Sequence, residues 1–278
     1  MRRFGKLTWA CSFLLWINIG CIGWDDRSRA GDTAVVRPAA VPIVLRDQRA
    51  ATDSGDVTFD VYLPAHSQPA PLVVVAHGFS RDRSNMAGWG ERLACEGLVA
   101  AVPTLPKWSD HRANGRAINE LIVYLSRAPY ADRIDRDRLA IMGFSAGGLA
   151  TLLAAADNPR ISLWIGLDPV DVNGWGADAA GRLRARVVMI RAEPSPWNAY
   201  GNAAGIEQAL AAAAPGRCTS LTIPGAVHID AEWPTTPAAQ LVCGQSDDQK
   251  REAFVSHALA LQRNPRTTNT SRGRYDLL

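Results

Sequence analysis

The chain has 278 residues, 47% hydrophobic and 21% charged, with a net charge of +3. These are globular values, with room for one α/β domain plus a short leader and tail. Scattered arginines at so small a net charge, with no groove-reading motif, exclude a nucleic-acid footprint. Five cysteines and five histidines show no metal-ligand spacing, so neither a metal nor an organic cofactor is expected.

Arg2, Arg3 and Lys6 precede a mostly apolar stretch from Leu7 to Trp24. Ser28-Arg29-Ala30 places small residues three and one positions before a cut after Ala30. Residues 1–30 therefore read as an export signal. Lipidation at Cys21, after Gly20, is the alternative, although Asn18 departs from a lipoprotein box. An uncleaved anchor is the third reading, weakened by Ser12 and Asn18. The expected location is secreted, periplasmic or lipid-anchored in the envelope, with membrane contact only through the leader or a lipid.

Residues 31–56 read as a Pro/Ala-rich linker and first strand, the strand running from Val41 to Leu45. Val57 to Leu63 reads as its antiparallel partner across the turn-rich Thr52–Asp56. Leu72 to Ala76 is apolar throughout, as a buried parallel strand should be, and runs into His77-Gly78-Phe79. Asn85 to Glu96 has a helical pattern, closed by Gly97. Leu98 to Val102 is a strand stopped by Pro103, and Gly115 to Ser126 is a helix with one apolar face.

Arg138 to Met142 is the next strand, and Gly148 to Ala156 is rich in helix formers. Between them stands Gly143-Phe144-Ser145-Ala146-Gly147, a Gly-x-Ser-x-Gly pentapeptide in strand–turn–helix context. It is the nucleophile turn of an α/β-hydrolase. The glycines allow a sharp reversal in which side chains would collide. Ser145 Oγ is held at a helix N-terminus, where developing negative charge is favoured. In this fold the loop after an earlier strand and the residue after the nucleophile each give a backbone N–H to the oxyanion hole. Phe79 and Ala146 are the two expected donors. His77 precedes the nucleophile, against the chain order serine, acid, histidine, and reads as a structural residue shaping its loop.

Ile161 to Leu167, Arg186 to Ile190 and Thr219 to Ile223 complete the strands, with helices over Gly205–Ala214 and Gln249–Gln262. The alternation implies βαβ units: a mostly parallel sheet with helices on both faces. The catalytic domain is expected over 57–263 and a disordered tail over 264–278. Residues 103–116 and 169–181 are the longest irregular stretches. Each emerges at a strand's C-terminal end, where ligands bind in such sheets, making Trp108 and Trp175 candidate substrate-lining residues.

Two histidines follow Ser145. His257 lies inside the final helix, whereas His228 follows the last strand in a loop, so His228 is the expected base. Physical reasoning leaves the acid open among Asp168, Asp171 and Glu193, each following a strand. Cys218 and Cys243 bracket the histidine loop. A disulfide would close it in an oxidising compartment; two unpaired buried thiols are the competing reading.

Leu167-Asp168-Pro169-Val170-Asp171 and His228-Ile229-Asp230 resemble the acid segment and histidine loop of chlorophyllases. Gly78-Phe79-Ser80 and Trp89-Gly90-Glu91-Arg92-Leu93-Ala94 are similar to bacterial cutinases and polyester hydrolases. Those resemblances imply that Asp168 is the acid and that Phe79 is an oxyanion donor. Where the cutinases carry their acid, this chain has Glu193-Pro194-Ser195-Pro196. The dienelactone hydrolases are more distant and use cysteine, a chemistry that Ser145 excludes.

The expected function is hydrolysis of small-molecule or polymeric carboxylic esters through Ser145, His228 and Asp168. Its rivals are a lipid acyl-ester hydrolase of platelet-activating-factor type, an acyltransferase or peptidase, and a catalytically degenerate binding module. The oligomeric state is unspecified by the sequence.

Overall fold

The computed structural model describes residues 41–213 and 215–263. The leader, Cys21 and the tail over 264–278 lie outside the described residues. Among the described residues eight strands form one sheet: β1 Ile43–Ala50, β2 Val57–Leu63, β3 Ala70–Ala76, β4 Val99–Thr104, β5 Ile134–Phe144, β6 Ile161–Leu167, β7 Arg186–Arg191 and β8 Cys218–Thr222. Their spatial order is β1-β2-β4-β3-β5-β6-β7-β8. The pairs β1–β2 and β2–β4 are antiparallel, and every later pairing is parallel. Among the described residues seven α-helices join them: α1 Ala87–Cys95, α2 His111–Leu125, α3 Ala146–Asp157, α4 Trp175–Arg182, α5 Ala204–Ala213, α6 Pro237–Cys243 and α7 Asp248–Arg263.

The two-residue period of β3 divides the core. Leu72, Val74 and Ala76 face a layer that includes Ile118 and Leu121 of α2, Leu149 of α3, Ala179 of α4 and Ile206 of α5. Val73 and Val75 face the opposite layer, with Trp89 and Leu93 of α1 and Phe254 of α7. Both faces of the strand are therefore buried, as its unbroken apolar run requires.

Three sequence expectations change. The first strand extends to Ala50 and pairs with β2 along its length, so the sheet begins at Ile43. Pro103 continues β4 instead of stopping it. The parallel ladder to β3 ends at Ala101, so the missing N–H of Pro103 costs no bond to β3. The stretch 169–181, read as irregular, contains α4. Asp171 starts that helix: Oδ1 accepts from the Gly176 N–H at 2.7 Å and Oδ2 from the Ala177 N–H at 3.2 Å.

Candidate active site

Ser145 joins β5 to α3 with φ +53 and ψ −121, a conformation rarely open to a side-chain-bearing residue. Its backbone is over-determined. Its N–H donates to Leu167 O at 3.1 Å, and its carbonyl accepts from Gly148 N at 2.9 Å and Val170 N at 3.3 Å. The flanking glycines are steric requirements. A Cβ on Gly143 would meet Gly147 O at 2.3 Å, and one on Gly147 would meet His77 O at 2.2 Å. Without side chains there, the turn packs against both its own helix and the loop after β3.

That turn presents Ser145 Oγ 3.0 Å from His228 Nε2. His228 Nδ1 lies 2.6 Å from Asp168 Oδ2. A carboxylate only accepts, so Nδ1–H donates to Asp168 and Nε2 accepts from the serine hydroxyl. All three residues are buried, with 7, 6 and 2% of their surface exposed. Asp168 leaves β6 at φ +42. Its Oδ1 accepts from the Ala192 N–H at 3.0 Å, and Oδ2 also accepts from Asn198 Nδ2 at 3.0 Å.

The structure separates the three candidate acids. Only Asp168 reaches His228. Asp171 is occupied in starting α4. Glu193 is exposed and turned away, its Oε1 accepting from the Gly225 N–H at 2.7 Å. His257 is exposed on α7. Sequence reasoning missed Asn198. Its amide NH₂ also donates to Glu193 O at 2.9 Å, and its Oδ1 accepts from Ser195 N at 2.8 Å and Gly201 N at 3.0 Å. An asparagine in a Pro/Ser turn gives no chemical signal by itself; only the fold brings it to the acid.

The loop after β3 lies directly beside the serine: a Cβ on Gly78 would sit 3.2 Å from Ser145 Cβ. The backbone N–H groups of Phe79 and Ala146 make no hydrogen bond among the described residues. His77 braces this loop. Its Nε2 accepts from the Leu105 N–H at 2.9 Å, so Nδ1–H donates to Gly78 O at 2.8 Å. Burial lowers the pKa of His77, keeping the ring in that neutral form.

Phe79, half-exposed, stacks edge-on against Trp108, with ring centroids 4.7 Å apart. Trp197 and Tyr200, also exposed, follow β7 on either side of Asn198. Trp175 lies elsewhere. It packs under the Arg112 guanidinium at 4.3 Å and lines a cleft of about 530 Å³ between α2, α3 and α4. The α3 residues of that cleft, Leu153 and Asp157, stand roughly two and three turns beyond Ser145. The stretch containing Trp175 forms the start of α4, and this tryptophan packs against the core layer that holds Leu149 and Ile206.

The expected Cys218–Cys243 bridge is also corrected: both thiols are free. Cys218 opens β8, near Glu207, whereas Cys243 ends α6 beside Arg81 and Glu232. The length of β8, about 13 Å by strand rise, separates Cys218 from the end of the sheet where α6 meets the histidine loop. Bridging needs Cα atoms within about 7 Å. Among the described residues no helix is long and apolar enough to cross a membrane, and no group of three or more His, Cys, Asp or Glu residues could hold a metal ion.

The strand order and the strained turn after β5 mark the α/β-hydrolase fold. A putative dienelactone hydrolase from Klebsiella pneumoniae has the same fold, with a TM-score of 0.62 over 79% of this chain and 97% of its own at 19% identity. The PET hydrolase-like family model matches residues 26–182, and the chain belongs to that family. Its curated relatives include a cutinase, est1, from Thermobifida alba, 30% identical over 117 residues. Another is a bis(hydroxyethyl) terephthalate hydrolase from Streptomyces coelicolor, 34% identical over 113 residues. These matches cover 41 and 39% of this chain, and 40 and 36% of the relatives' own lengths. The family match ends at Arg182, before the β7 loop and His228.

Proposed function

We propose that the protein is a serine hydrolase of carboxylic esters. The observation that carries this reading is the chain of contacts from Ser145 Oγ through His228 to Asp168 Oδ2, at 3.0 and 2.6 Å, on a strained turn. The family and the names of its cutinase and terephthalate-ester hydrolase relatives support the substrate class.

In this mechanism Ser145 Oγ attacks the ester carbonyl while His228 Nε2 takes its proton. Asp168 holds the Nδ1–H tautomer and stabilises the imidazolium. The N–H groups of Phe79 and Ala146 receive the oxyanion; one such donor is typically worth about 10²–10³ in rate. His228 then protonates the leaving alcohol, and water enters by the same base to cleave the acyl-enzyme. Exposed Phe79, Trp108, Trp197 and Tyr200 follow strands that end on the side of Ser145, which favours esters with aromatic or apolar parts, small or polymeric. Export through the leader at 1–30 belongs to the same proposal.

The test is labelling by a fluorophosphonate probe. Wild-type protein should lose activity on p-nitrophenyl esters as one probe attaches at Ser145. Ser145→Ala should neither label nor retain above about 1% of activity while keeping its melting temperature. A folded Ser145→Ala protein that still hydrolyses would overturn the nucleophile and the mechanism.

A further inference from the structure

Glu232 is a buried carboxylate that the proposed mechanism does not use. Its side chain is wholly buried; Oε1 accepts from Arg81 Nε, and Oε2 has no hydrogen-bond partner among the described residues. Burial pushes its pKa up, while the Arg81 and Arg251 guanidinium groups pull it back toward the charged form. A buried ion pair is weak evidence for stability, because an apolar pair of similar volume often holds a fold as well. Its position supplies another reason for it.

Arg81 belongs to the loop after β3, which carries Phe79. Glu232 ends the turn His228–Ala231, which carries the base. In the sheet β3 and β8 are separated by β5, β6 and β7. That is four strand spacings, about 19 Å, so sheet register alone leaves the two loops free of one another. The reaction nevertheless needs them held together, with oxyanion donor and base converging on one carbonyl.

The segments are tied where they meet. Besides Arg81 to Glu232, Trp233 N–H donates to Asn85 O, Gly88 N–H to Trp233 O and Trp89 Nε1–H to Ala231 O, each at 2.9 Å. Arg251 Nε on α7 donates to Glu232 O at 3.0 Å. Arg81 belongs to the oxyanion loop itself, and its guanidinium also donates to Ser80 O at 3.4 Å.

We propose that Arg81 and Glu232 are positioning residues: their ion pair locks the oxyanion loop to the histidine loop and so sets the distance between the Phe79 N–H and His228 Nε2. This rests on the hydrolase reading above. The pair touches neither substrate nor reacting atoms and acts through backbone placement. Misplacement of about 1 Å in such a site can cost roughly 10²-fold in rate.

The experiment uses the full chain, a soluble p-nitrophenyl ester and four variants: Arg81→Met, Arg81→Lys, Glu232→Gln and the double variant Arg81→Met/Glu232→Met. The double variant removes the charges but keeps apolar volume, so it separates folding from positioning. Expected for it is a melting temperature close to wild type, kcat lowered about tenfold or more and KM within threefold. Amides of residues 78–82 and 228–233 should exchange hydrogen faster while those of β5 and α3 do not. Arg81→Lys should recover part of the kcat that Arg81→Met loses, and Glu232→Gln, which keeps an acceptor without its charge, should fall between. Recovery of wild-type kcat in the stable double variant, or unchanged exchange in the two loops, would overturn the proposal. An inert wild-type protein would overturn the hydrolase reading and this inference with it; an active wild type with an equally active double variant would overturn the inference alone.

Discussion

Replacing Asp168 by asparagine removes one charge, and the surrounding donors decide what else it removes. Three of them point at the carboxylate: His228 Nδ1 and Asn198 Nδ2 at Oδ2, and the Ala192 N–H at Oδ1. An asparagine there offers one oxygen. Facing Ala192, that oxygen satisfies one donor, sets two NH₂ groups against each other at Asn198 and forces His228 to carry its proton on Nε2. Facing His228 and Asn198, it satisfies two donors and leaves one mismatch. Asn198 cannot turn to relieve the first arrangement, because Ser195 N and Gly201 N hold its own oxygen. Each arrangement leaves one mismatch, and the second is expected because it alone keeps His228 Nε2 as the acceptor of the Ser145 hydroxyl, with the productive tautomer kept. What remains is loss of the charge beside the imidazolium, about 3–4 kcal/mol or roughly 10²–10³ in kcat. Adding Asn198→Ala removes the donor that fixes the amide, and the double variant should approach the roughly 10⁴ loss typical of a wrong tautomer. Nitrogen-15 spectra of the His228 ring, read beside kcat, give the assay: Nδ1 protonated in Asp168→Asn, Nε2 protonated in the double variant. An Nε2-protonated ring in Asp168→Asn itself, with a loss near 10⁴, would refute the reasoning.

Glu193→Gln should change kcat less than twofold, because Glu193 only accepts from the Gly225 N–H; loss of most activity would return the acid role to the β7 position. Trp108→Ala removes the ring on which Phe79 leans. Such aromatic pairs contribute about 0.5–1.5 kcal/mol, so KM for aromatic or polymeric esters should rise two- to tenfold while kcat on an acetyl ester holds; an equal effect on both esters would argue against a substrate-lining role. Burial lowers the pKa of His77 in the native state, whereas the unfolded residue titrates near about 6.5. Below that value the unfolded chain binds a proton that the native chain refuses. The stability His77 contributes is thus complete above about pH 6.5 and lost as pH falls toward its lowered native pKa, at up to about 1.4 kcal/mol per pH unit. His77→Gln should flatten the melting-temperature profile below about pH 6.5 relative to wild type, and an unchanged slope would exclude the buried neutral ring as its source.

Features legible in the sequence are those whose physics is local. The turn at Ser145 demands small residues on both sides, so Gly143 and Gly147 announce it within five positions. The unbroken apolar run Leu72–Ala76 announces a strand covered on both faces, and chain order separates His228 from His257. By contrast, α4 was hidden because Gly174, Gly176 and Gly181 suppress helix propensity, and the cap that compensates comes from Asp171 across a turn. Asp168 and Glu193 end adjacent parallel strands, and nothing in their sequence neighbourhoods ranks them as acids without an analogy. The backbone twist at Asp168 and the donors on Ala192 and Asn198 make the choice, and those residues lie 24 and 30 positions away. Cys218 and Cys243 look pairable along the chain until the length of β8 is placed between them. Asn198 and Glu232 carry no motif, because a buried polar side chain acquires its role only from the partners that folding brings within 3 Å. Local sterics and hydrophobic periodicity thus wrote the fold and the turn at Ser145 into the sequence, while the carboxylate that meets the histidine, and the contacts between Arg81 and Glu232, were decided by segments distant along the chain.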